Sequence, residues 1–109
     1  MSAAYIIRRS VGQFHWNLFA DNNETILTSE RYTTKESARA GIASCRVHSP
    51  HDQYYRRLTS VANQPYFNLQ AANGQTIGTS EMYSSAAARD KGIESCKRNG
   101  PTAPEVDQT

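Results

Sequence analysis

The chain has 109 residues and a formal net charge of +2, with 38% hydrophobic and 20% charged residues. That length fits one compact domain or two very small ones, and the balance suits a soluble globular core and excludes global disorder. It also lacks the dense basic stripe of a dedicated nucleic-acid module, and no run approaches the ~20 apolar residues that span a bilayer.

Taken in chain order, the first expected element is a strand at "YIIRR" (Tyr5–Arg9). The stretch "MSAAYIIRRSVGQF" is too short in apolar residues for a signal peptide, so a cytoplasmic protein with reduced cysteines is expected. "FHWNLFA" alternates and places Trp16, Leu18 and Ala20 on one face of a second strand. Asn22-Asn23 suits a tight turn, and the return strand is expected to bury Ile26 and Thr28. A capping box of Thr33 and Glu36 would then start a helix. Ala38, Ile42 and Cys45 follow helical spacing along one stripe. Arg46 and His48 suit the carbonyl end, and Pro50 stops the helix.

"QYYRRLTS" reads as a further strand, after which the pattern returns. "YFNLQAA" alternates Phe67, Leu69 and Ala71; Asn73-Gly74 is a strong hairpin signal; Ile77 and Thr79 are expected on the buried side. Ser84 would cap a second helix, which carries Ile93 and Cys96 and ends at Lys97, Arg98 and Asn99-Gly100-Pro101. In the tail "GPTAPEVDQT" only Val106 hints at a last strand.

An offset of 51 positions aligns the two halves without a gap. Asn17 falls on Asn68, Leu18 on Leu69, Thr28-Ser29-Glu30 on Thr79-Ser80-Glu81, and Tyr32 on Tyr83. Gly41-Ile42 and Ser44-Cys45 fall on Gly92-Ile93 and Ser95-Cys96. Two copies are too few for a solenoid, so a pseudo-twofold pair sharing one core is expected. Duplication lets one chain do the work of two, which favours a monomer.

At "AANGQTIGTSEMYSS" and "GIESCKRNGPTA" in the second copy, and "ILTSERYTTKESARAGIAS" in the first, the chain resembles the YegP-like family of small uncharacterised bacterial proteins, in its duplicated branch. The resemblance implies an α+β fold of two tandem β-β-β-α-β repeats forming a single, mainly antiparallel sheet. Two helices lie on one face, the halves are related by a pseudo-twofold, and the C-terminal strands are exchanged. "QYYRRLTS" would be the crossing strand of copy one, and "PEVDQT" its counterpart. One domain, 1–109, would then comprise repeat one at 5–53, repeat two at 54–104, and a mobile tail or short last strand at 105–109. The family brings no reaction, cofactor, metal or catalytic residue.

The residues themselves agree that the repeated phrase is scaffold. Ser29-Glu30-x-Tyr32 and Ser80-Glu81-x-Tyr83 lack a recurring histidine, so they read as strand-to-helix corners rather than nucleophile–base pairs. Gly41 and Gly92 each cost a helix ~1 kcal/mol against alanine, which points to a close approach by the sheet or the other helix. Cys45 and Cys96 read as small buried hydrophobes. Cys45-x-x-His48-x-x-His51 has metal-like spacing, but the second copy carries Asn99 and Thr102 instead, and a structural zinc site wants four ligands. Arg89 stands where Ala38 does and reads as packing at the core edge.

If both helices cover one sheet face, the other faces water or a partner. His15, Asn17 and Phe19 line it from copy one, with Leu27; Tyr66, Asn68 and Gln70 line it from copy two. Arg8, Tyr54 and Arg56 border it in one strand phase. The face is expected to be apolar in copy one, where Phe19 and Leu27 are the anchors, and polar in copy two. The expected function is a non-enzymatic binding or accessory module with a protein or peptide partner on this face. Weak single-stranded nucleic-acid binding is the alternative, with an unrecognised enzyme behind it.

Overall fold

A computed structural model of the chain describes residues 2–109. Copy one supplies β1 (Ala4–Ser10), β2 (Gln13–Phe19), β3 (Thr25–Ser29) and α1 (Lys35–His48). Copy two supplies β4 (Tyr55–Thr59), β5 (Pro65–Gln70), β6 (Thr76–Thr79) and α2 (Ala86–Asn99), and β7 (Glu105–Asp107) closes the chain. One seven-stranded sheet runs β4-β5-β6-β3-β2-β1-β7, antiparallel except where β7 lies parallel to β1. The α+β architecture read from the sequence is therefore present. The strand after each helix crosses to the other copy: β4 pairs with β5, and β7 pairs with β1. Because β4 also opens the second hairpin, two four-strand units share it and the sheet has seven strands.

Turn chemistry sets the hairpins. Asn23 (φ 69°) and Gly74 (φ 86°) take the left-handed positions of the matched turns, as Asn22-Asn23 and Asn73-Gly74 suggest. The Asn22 and Asn73 side chains accept from the amides of Glu24 and Gln75. Each return strand then carries a bulge: Leu18 faces Leu27 but Phe19 faces Thr25, and Leu69 faces Gly78 but Gln70 faces Thr76. The extra residue, Ile26 or Ile77, is buried, and every position beyond it changes phase.

The bulge corrects two expectations. Leu27 is not on the open face; it is fully buried beside Leu18 in the core. Thr28 and Thr79 are not buried; they lie on the helix-free side, where Thr28 accepts from the Asn17 side chain at 2.9 Å.

The helices begin one residue later than the capping box at Thr33–Glu36 and the cap at Ser84 predict. Thr34 and Ser85 are the caps, and their hydroxyls accept from the amides of Ser37 and Ala88. Before them Tyr32 still belongs to the sheet: it exchanges backbone hydrogen bonds with Phe14 at 2.7 and 2.8 Å.

The core lies between the sheet and the two helices, with Tyr5, Trp16, Leu18, Phe67, Leu69, Ile42 and Ile93 at its centre. Ala38, Ile42 and Cys45 share the buried stripe of α1. Arg89 is nearly covered and its Nε lies 3.2 Å from Asp90. The helix glycines approach the sheet rather than the other helix: a Cβ would lie 3.2 Å from Trp16 Nε1 at Gly41 and 3.3 Å from a Phe67 ring carbon at Gly92. A Cβ at Gly41 would strike the Tyr32 hydroxyl, and one at Gly92 would strike that of Tyr83. Each repeated tyrosine thus seats its ring end against the glycine of its own helix.

Across the pseudo-twofold, Tyr5 donates to the Gly100 carbonyl at 2.6 Å and Tyr55 to the Ser49 carbonyl at 2.7 Å. First-strand tyrosines therefore tie down the ends of α2 and α1. The free thiols of Cys45 and Cys96 lie buried among these groups, and Cys96 together with burial pushes the Cys45 thiol well up, so it stays protonated.

Candidate binding surfaces

Sheet pleating and register define the face opposite the helices. One row crosses all seven strands: Arg56, Asn68, Thr79, Thr28, Asn17, Ile6 and Val106. At ordinary strand spacing it is roughly 29 Å long. The next open-facing row includes Arg8 opposite His15; Leu58 opposite Tyr66 continues the face on copy two. Six of the seven sequence-chosen residues, His15, Asn17, Phe19, Tyr66, Asn68 and Gln70, keep the strand phase of this face, while Leu27 leaves it.

The apolar character of the copy-one end survives through other residues. Ala4 and Ile6 are 7% and 8% exposed, yet they stand outside the main core cluster. Ile6 is shielded by its neighbours on the face, among them Val106 of β7 and Asn17 of β2. Phe19 is half-buried, with the Arg8 guanidinium 5.7 Å from its ring centroid. Sequence reasoning missed Ile6 and Val106 because the pairing of β7 with β1 joins the two ends of the chain, and no local pattern announces it.

Two polar atoms on the face, His15 Nδ1 and Asn68 Oδ1, are shielded from solvent and have no hydrogen-bond partner among the described residues. Burial first, then the charges of Arg31 and Arg8, lower the His15 pKa, so the ring is neutral at pH 7. The open-facing strand positions carry two arginines, Arg8 and Arg56, and no carboxylate.

The motifs set aside as scaffold are engaged as scaffold. Ser29 accepts from the Trp16 amide at 2.9 Å and donates to the Glu30 carbonyl; Ser80 does the same with Phe67 and Glu81. Each hydroxyl replaces a sheet bond at the point where its strand turns toward the helix. His48 spends both ring nitrogens on backbone: Nδ1 lies 2.8 Å from the Ser44 carbonyl, and Nε2 accepts from the Ala72 amide at 3.1 Å. Among the described residues no group of three metal-binding side chains converges, and no helix is long and apolar enough to cross a membrane.

The structure also has two clefts that sequence reasoning did not find. Each lies between the β-hairpin tip of one copy and the helix of the other.

The DUF1508 model, a domain of unknown function, matches this sequence twice, at residues 10–55 and 60–107. A UPF0339 protein of Bordetella pertussis is 53% identical over 109 residues, covering 100% of this chain and 98% of its own. UPF0339 protein YegP of Escherichia coli K12 is 49% identical over 94% of this chain and 93% of its own. The solution NMR structure of yegP from E. coli superimposes with a TM-score of 0.94 at 46% identity, over 100% of this chain and 95% of that one. The solution NMR structure of a UPF0339 protein from Shewanella oneidensis gives 0.91 at 49% identity, over 98% and 92%. These names carry no activity.

Proposed function

The chain belongs to the DUF1508 family, in two tandem copies, and from that premise we propose a non-catalytic binding module. Its helix-free sheet face takes an extended acidic segment of a protein partner, laid across the strands. The charge pattern of that face, with its apolar footing at one end, carries this reading. The sign of the partner follows from the face: arginines at two of its open positions, no carboxylate, and amides and hydroxyls between. Ile6, Val106 and Phe19 give the segment an apolar footing at the copy-one end. A non-catalytic role is supported by the serines and His48, whose reactive atoms are engaged in holding backbone.

A labelled decapeptide of alternating Glu and Val tests the reading, with an oligothymidylate of equal charge beside it. Binding of the peptide is expected to shift the side-chain amides of Asn17 and Asn68 in NMR spectra. It should vanish in the Arg8→Glu/Arg56→Glu variant and weaken with salt. No binding, shifts elsewhere on the molecule, or binding of the oligonucleotide alone overturns it.

A further inference from the structure

The two clefts are pseudo-twofold mates. One is formed by the β2–β3 hairpin against α2 and Tyr83, and the other by the β5–β6 hairpin against α1 and Tyr32. Their frames repeat: Ala20 matches Ala71, Thr25 matches Thr76, and Gly92 matches Gly41. Their charges do not. The first cleft is lined by Asp21 and Glu24 on the hairpin and by Lys91 and Arg98 on the helix. At the matched positions the other copy has Ala72, Gln75, Ala40 and Val47, all neutral.

The two also differ in size, about 390 Å³ against about 220 Å³. In the smaller one His48 pins the helix end to the hairpin through the Ala72 amide. In the larger one the matched Asn99 turns to Ser95 at 3.2 Å instead, so no such latch crosses the gap. Among the described residues none of the four charged groups makes an ion pair. Acids on one wall and bases on the other therefore face a shared space without satisfying each other. Tyr83 also lines the cleft. Burial chiefly, with Glu24 among the charges acting on it, pushes its hydroxyl up and keeps it a donor.

We propose that the larger cleft binds a small zwitterion of the α-amino-acid class. The ammonium group goes to the Asp21 and Glu24 wall, and the carboxylate to the Lys91 and Arg98 wall. A cleft of this size suits a single small molecule. Opposed charges also reject a ligand that carries only one of the two groups. This site is separate from the open sheet face and stands or falls independently of it.

The test titrates the ¹⁵N-labelled full chain with the free α-amino acids and with dialanine, each beside its N-acetyl and its C-amide analogue. At least one zwitterion is expected to shift amides confined to Ala20–Ile26 and Gly92–Arg98. Blocking either end should weaken binding by about tenfold or more. Glu24→Gln and Lys91→Ala should each weaken it similarly without loss of fold, because those residues already stand at the matched positions of copy two and copy one. A preference for dialanine over free amino acids would identify a peptide terminus as the source of the zwitterion, within the same site. No shift at these amides up to about 10 mM ligand overturns the proposal. Equal shifts at Ala71–Ile77, or blocked analogues that bind as well as free ones, overturn it too.

Discussion

Leu27 and Gly78 occupy matched positions, and together they show how duplicated residues stop being equivalent. A Cβ on Gly78 would lie 2.7 Å from the Leu27 Cγ, so one leucine fills the space on both sides of the seam. Leu27→Ala should then cost about 2–5 kcal/mol, read from urea denaturation, because it empties a fully buried site. A surface leucine would cost a few tenths, so a small effect would return it to the open face. His15 makes a different prediction, in pH. Burial, then Arg31 and Arg8, depress its pKa below 6.5 in the folded chain. Below that pH the unfolded chain holds a proton that the folded chain refuses, so stability should fall as pH drops through this window. Denaturation midpoints of the wild type and His15→Gln should converge near pH 7.5 and separate towards pH 5, with the variant less sensitive to acid. Parallel curves would mean that the ring is not shielded.

At the level of elements, the matched helix ends differ in one contact. His48 reaches across to the Ala72 amide, whereas Asn99 folds back on its own helix. His48→Asn should release the β5–β6 hairpin, at a cost of about 0.5–1.5 kcal/mol. Hydrogen exchange at Ala72 should quicken while exchange at Ala20 stays unchanged; equal rates before and after would show that the bond holds nothing. That contact also marks the limit of what was legible in the sequence. Trp16, Leu18, Phe67 and Leu69 alternate, and Ala38, Ile42 and Cys45 repeat at helical spacing, so the two hairpins, both helices and their buried faces could be read directly. The bulges could not, because one extra residue leaves no mark in a strand of four or five residues, and they misplaced Leu27, Thr28 and Thr79. The caps slipped by one because Thr33-Thr34 and Ser84-Ser85 offer two hydroxyls each, and the sheet bonds of Tyr32 decide between those in copy one. The clefts joined residues about seventy positions apart, Glu24 with Lys91, and only the partly matched lining of the two copies could have pointed to them.

The whole molecule raises the question of why two half-units need one chain. Their seam in the sheet is short: β3 and β6 meet only at Thr28 with Thr79 and Ser29 with Gly78. The rest of the union is made by exchange. Tyr5 holds the end of α2, Tyr55 holds the end of α1, and β7 crosses to β1, where Lys35 reaches Asp107 at 2.9 Å and Arg39 reaches Glu105 at 3.0 Å. Neither half keeps these partners alone, so fragments 2–50 and 51–109 should each be largely unfolded by circular dichroism. Mixed, they should reassemble with a cooperative thermal transition. Self-pairing is opposed from both sides. Two copies of the first fragment would bring Leu27 against Leu27, an overpacking worth about 1–3 kcal/mol. Two copies of the second would put a Gly78 on each side of the seam, with a cavity where Leu27 belongs, costing about 2–5 kcal/mol. Only the mixed pair fills the seam once. If either fragment formed a folded homodimer as stable as the mixture, the leucine–glycine match would not be what keeps the two halves distinct.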